Sequence, residues 1–76
     1  MIVKISDLEK IQGVDKIDPE ILFNQGLIKH KLDKVKILGD GELTKKIIVI
    51  ADAYSASAKE KILAKGGVAA LRGENS

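Results

Sequence analysis

The sequence contains no cysteine and no tryptophan, and only one each of histidine, proline, phenylalanine and tyrosine. Without cysteine there is no disulfide staple and no thiolate-ligated metal site. The lone His30 has no second histidine or cysteine to complete a transition-metal set, so neither metal nor cofactor is expected. No run reaches the roughly 18 to 20 apolar residues that span a bilayer. Lys4, Asp7, Glu9 and Lys10 interrupt the N-terminal stretch and leave no apolar core for a secretory signal. These absences point to a soluble, unsecreted protein of a reducing cytoplasm, with no membrane partner.

Aromatic residues make up 3% of the chain and hydrophobic residues 45%, so isoleucine, leucine, valine and alanine must fill the core. Phe23 and Tyr54 are the only large rings available to it. A chain of 76 residues makes a single domain, here residues 1–76, and buries only about 60% of the surface its unfolded form exposes. So short a chain suits part of a larger protein. Net charge is only +2, but it is unevenly spread. Residues 1–28 hold three lysines against five acids, residues 29–46 six lysines against three acids, and residues 47–76 four bases against three acids. Positive charge gathers in the middle of the chain.

Taken in order, residues 1–5 read as a short strand, with Ile2, Val3 and Ile5 turned inward. Ser6 followed by Glu9 fits a capping box that starts a brief helix through Ile11, with Leu8 and Ile11 on its buried side and Gly13 ending it. Asp18-Pro19-Glu20 is a second helix start: aspartate suits the N-cap, and proline at the first helical position loses no needed hydrogen bond. Gly26 supplies the left-handed stop. Residues 35–38 form a strand closed by the turn Gly39-Asp40-Gly41. The apolar run at 47–51 does not alternate, which implies a central strand buried on both faces. Ser55 or Ser57 then caps a helix, and Ser57 with Glu60 makes the better capping box. Ala58, Ile62 and Leu63 form its apolar stripe, and it stops at Gly66-Gly67. Residues 68–71 form a last strand, followed by a frayed tail over 72–76. The class is α/β, a small single domain of short strands and short helices.

Few of the residues that carry chemistry are arranged to perform it. Gly39-x-Gly41 lacks the third glycine of a dinucleotide fingerprint, where Thr44 stands, and lacks the lysine-serine end of a P-loop. The serines have no base partner and no Gly-x-Ser-x-Gly frame. Asp18 and Glu9 are accounted for by capping, and Asp7, Asp15 and Glu20 read as solvated surface. No catalysis is expected. The lysines remain. A charge run is usually a solvated face, and so few aromatics argue against stacking recognition of single strands. Phosphate contact by lysine needs neither pocket nor ring and stays open.

One stretch has a distinctive order of residue types. Lys36-Ile37-Leu38-Gly39-x-Gly41-x-Leu43, an apolar strand, Ser55-x-x-Ala58 and a helix ending in glycine together resemble the ribosomal protein L-fifteen family of the large subunit. A looser match covers Asp18-Pro19-Glu20-Ile21-Leu22 and Gly26-Leu27-Ile28. The resemblance implies the family's C-terminal globular domain, an irregular ββα superhelix seated on large-subunit ribosomal RNA and against neighbouring ribosomal proteins. It also implies a structural role, a place on the cytoplasmic ribosome and no enzymatic activity. The family's glycine- and arginine-rich N-terminal arm is absent. Ile48, Ile50, Asp52 and Ala56 stand where relatives commonly carry polar or basic residues. By matching position, Lys36, Lys45, Lys46, Ser55 and Lys59 are the implied RNA contacts; Lys29 and Lys31 join them from charge clustering alone. The alternative is a protein-docking module working through an apolar surface at Phe23, Leu27 and Ile28. The isolated domain is expected to be a monomer.

Overall fold

Strand β1 (Ile2–Lys4) runs directly into helix α1 (Ile5–Glu9), and β2 (Lys16–Ile17) into α2 (Pro19–Asn24). After a long link come β3 (Lys36–Leu38), β4 (Ile48–Ala51), β5 (Ala53–Tyr54), α3 (Ala56–Ala64) and β6 (Val68–Leu71). This computed structural model describes residues 1–72; residues 73–76, most of the expected tail, lie outside the described residues. The strands alternate between two parallel three-stranded sheets, β1-β3-β5 and β2-β4-β6. Each turn of chain therefore adds one strand to each sheet, which is the expected α/β superhelix. Parallel neighbours cannot be joined by a hairpin. Here the crossover from one strand to the next in a sheet passes through the other sheet.

One aliphatic cluster lies at the centre. Val3, Ile5, Leu8, Ile17, Leu22, Ile37, Ile47, Val49 and Ile62 are among its buried members. No polar or charged side chain among the described residues is buried. Burying side chains of this size stabilises by roughly 1.5–3 kcal/mol each.

Several local expectations hold. Asp18 caps α2 by accepting the Ile21 amide at 2.9 Å, with Pro19 in the first turn. Gly26, at φ 78°, closes the helix: its amide donates to the Phe23 carbonyl, and the Leu27 amide to the Leu22 carbonyl. Those paired bonds satisfy carbonyls the helix leaves open, and the positive φ favours glycine there.

Other expectations are corrected. Ile5 is buried but belongs to α1, and Ile2 is 60% exposed, on the outward face of its sheet. Ser6 does not cap α1. Lys4 occupies that position, its amide donating to Asp7 at 3.1 Å, while the Ser6 amide donates to the Asp40 carbonyl. Ser55 rather than Ser57 caps α3, accepting the Ala58 amide at 3.1 Å and the Gly39 amide at 3.2 Å. Serving two elements at once outweighs the local capping box at Ser57.

The run at 47–51 alternates after all: Ile47, Val49 and Ala51 are buried, whereas Ile48 is 39% exposed and Ile50 half-buried. The strand is central to its sheet, between β2 and β6, but only one face of that sheet meets the core. Leu63 and Phe23, both expected inside, are exposed. Arg72 is not part of a frayed tail. Its amide donates to the Ala51 carbonyl at 2.8 Å, and its guanidinium to the Asp33 carbonyl at 2.9 Å.

Asp52 makes the corner between β4 and β5. Its carboxylate accepts the Val35 amide at 2.7 Å and lies 3.4 Å from the Arg72 guanidinium. Its own amide donates to the Val35 carbonyl. That geometry accounts for an acid at a position where a basic residue could not receive the amide.

Candidate nucleic-acid interface

Five of the seven residues singled out from the sequence present exposed side chains: Lys29, Lys31, Lys36, Lys46 and Lys59. They occupy different parts of the superhelix. Lys29 and Lys31 stand in the link between α2 and β3. Lys36 opens β3 and shares an outward row with Ile2 and Ala53, its register partners on either side. Lys46 precedes β4, and its aliphatic stem passes near Gly66 at the end of α3. Lys59 lies on α3 itself.

The other two are engaged within the fold. Lys45 is half-buried, and its ammonium donates to the Ile11 carbonyl. Ser55 holds the start of α3 against the turn after β3 through its two accepted amides. That turn is tight. A Cβ on Gly39 would lie 2.3 Å from the Ser57 hydroxyl oxygen, 2.6 Å from its Cβ and 2.9 Å from the Ala58 nitrogen. Only a residue without a side chain fits there.

A lysine outside those seven, Lys61, completes the arrangement. The Lys61 ammonium donates to the carbonyls of Gly39 and Gly41, each at 2.6 Å, with Glu42 3.9 Å away. The backbone of a tight turn leaves carbonyls outside any ladder, and a buried or half-buried carbonyl needs a donor. The signal for this was present in Gly39-x-Gly41, but the partner lies twenty residues away and nothing local marks it.

Next to that turn, the Thr44 hydroxyl and amide both donate to the Glu9 carboxylate. The hydroxyl bond first, then the amide bond, hold the Glu9 carboxyl below the usual glutamate range, with Lys45 and Lys65 adding favourable charge. Among the described residues no group of histidines and acids is placed to hold a metal ion, and no helix is long and apolar enough to cross a membrane.

The apolar surface expected of a docking module does not form as a unit. Ile28 is buried and Leu27 packs against the core, leaving Phe23 exposed with the Lys31 ammonium 5.6 Å from its ring centre. An exposed apolar pair instead lies on the outward face of the second sheet, where Ile48 and Val68 are register partners, 39% and 48% exposed.

The fold is a small aliphatic α/β domain whose exposed lysines are spread over several of its elements and links. Residues 2–70 match the family model described as ribosomal proteins 50S-L15, 50S-L18e and 60S-L27A, and the chain belongs to that family. It is 51% identical over 67 residues to the large ribosomal subunit protein uL15 of Agathobacter rectalis, covering 88% of this chain and 46% of the relative. It is 51% identical over 69 residues to the uL15 of Thermosipho africanus, covering 90% of this chain and 47% of the relative. Against the uL15 of Aquifex aeolicus it is 60% identical over 52 residues, 68% of this chain and 34% of the relative. The chain thus spans about half the length, or less, of these relatives.

Proposed function

We propose that this chain is a globular domain of a structural constituent of the large ribosomal subunit, working in the cytoplasm as part of the ribosome. It binds ribosomal RNA by lysine–phosphate contacts, packs on neighbouring ribosomal proteins and catalyses nothing. The observation that supports this reading best is the exposure of Lys29, Lys31, Lys36, Lys46 and Lys59 on a fold whose relatives are named as large-subunit proteins. Phosphate contacts fix position on RNA through charge and shape rather than base identity. Lys45 and Ser55 support that surface from within, Lys45 by bonding the Ile11 carbonyl and Ser55 by joining the turn after β3 to the start of α3. The Ile48–Val68 pair is the apolar surface best suited to a protein neighbour.

The test is the ionic-strength dependence of RNA affinity. Each phosphate neutralised should contribute roughly 0.7 to 0.9 to the slope of log affinity against log salt. A steep slope supports docking by lysine; affinity independent of salt contradicts it.

A further inference from the structure

The link between α2 and β3 carries more than charge. Ile21 and Leu22 of α2 pack against or within the core, but Phe23 turns outward, 38% exposed, beneath the Lys31 ammonium. The following turn is fixed rather than loose. The Asp33 amide donates to the His30 carbonyl at 3.2 Å, and Arg72 reaches from the end of β6 to the Asp33 carbonyl. Leu32, at the apex of that turn, is 88% exposed. The segment thus presents a ring and an aliphatic side chain within a group of exposed cations, Lys29, Lys31 and Lys34.

We propose that Phe23 and Lys31 form a stacking site for one unpaired nucleobase of RNA. The ring supplies a π face, and any base can stack on it. The ammonium 5.6 Å from its centre is drawn to the same face and can pass to the phosphate of the incoming nucleotide. An uncharged apolar peptide would cover the ring but would leave the surrounding lysines without counter-charge. The scarcity of aromatics excludes a strand-tracking platform but not a site for a single base. The proposal rests on the RNA-binding reading above and adds base contact to a surface otherwise described by phosphate contact alone.

The test compares two RNA hairpins that differ at one position: a bulged adenine in one, an abasic residue in the other. Phosphates are identical, so any difference in affinity reports the base. The intact chain should bind the adenine hairpin at least about fivefold more tightly, the lower range of a single base–aromatic stack. Phe23→Leu should abolish that preference while leaving affinity for the abasic hairpin unchanged, and Phe23→Tyr, which keeps the ring, should retain it. Replacing the bulged adenine with 2-aminopurine should give a fluorescence change on binding that Phe23→Leu loses. Equal affinity of the intact chain for both hairpins overturns the stacking site and leaves RNA docking standing. Failure to bind either hairpin overturns both.

Discussion

Two links lead the chain into and out of β3, and both are rich in lysine. The first, residues 25–35, points Lys29, Lys31 and Lys34 outward. The second, residues 39–47, leaves Lys46 exposed but draws two ammonium groups inward: Lys45 bonds the Ile11 carbonyl, and Lys61 reaches in from α3 to the carbonyls of Gly39 and Gly41. The difference lies in how each link satisfies its backbone. In the first, the Asp33 amide and the Arg72 guanidinium serve the carbonyls of His30 and Asp33, so the lysine heads are left for solvent or a partner. In the second, the Ser6 amide serves the Asp40 carbonyl, and the flanking Gly39 and Gly41 carbonyls are served by the Lys61 ammonium. Lysine content alone therefore does not mark an interface. What matters is whether a carbonyl within reach already has a donor.

Perturbing the second link should cost stability, with the largest effect at its tightest point. Gly39→Ala forces a Cβ into Ser57 and the Ala58 backbone and should destabilise by about 3 kcal/mol, measured by urea unfolding. Lys61→Met keeps the stem but removes two charge-assisted hydrogen bonds from a partly exposed head; a loss of about 1.5 kcal/mol is expected in the same assay. Ser55→Ala removes the α3 cap and should cost about 1 kcal/mol, visible as a lower unfolding midpoint at unchanged slope. In the first link, by contrast, Lys29→Ala and Lys31→Ala should stay within about 0.5 kcal/mol of the parent.

The smallest effect belongs to Glu9. Its carboxyl is held below the usual range in the folded chain, chiefly by the Thr44 hydroxyl. The stability it contributes is present above the unfolded-state pKa and is lost as pH falls through the lower folded-state value. Glu9→Gln should therefore lower stability slightly at neutral pH and flatten the acid side of the profile, the two proteins converging as pH falls through the folded-state value. Identical acid profiles for the two proteins would show that the Thr44 contact has no thermodynamic weight.

Part of the fold could be read from the chain, because some of its signals are local. The Asp18-Pro19 start and Gly26 stop of α2 use neighbouring residues only, and both were legible. So were β3, β4 and β6 as β-branched or apolar runs. The two-residue strands β2 and β5 carry no local signature and went unread; they exist because register with β4 and β3 provides partners. The same long-range register turns Ile2 and Ile48 outward despite their hydrophobicity. Ser55 was outranked by Ser57 on local grounds because its second donor, the Gly39 amide, lies sixteen residues earlier. The candidate lysines were recognised by type, but the sequence could not sort the internal from the external ones. That sorting depends on which carbonyls the fold leaves unserved.

The central claim is this division of labour, and one measurement tests it directly: the salt slope of RNA affinity for two double variants, each confirmed folded at the assay temperature. Lys29→Ala with Lys46→Ala should lower the slope by roughly 1.4 to 1.8, the loss of two phosphate contacts. Lys45→Met with Lys61→Met, which removes the same charge from inside the fold, should leave the slope unchanged. Equal reductions in the two variants would contradict the account.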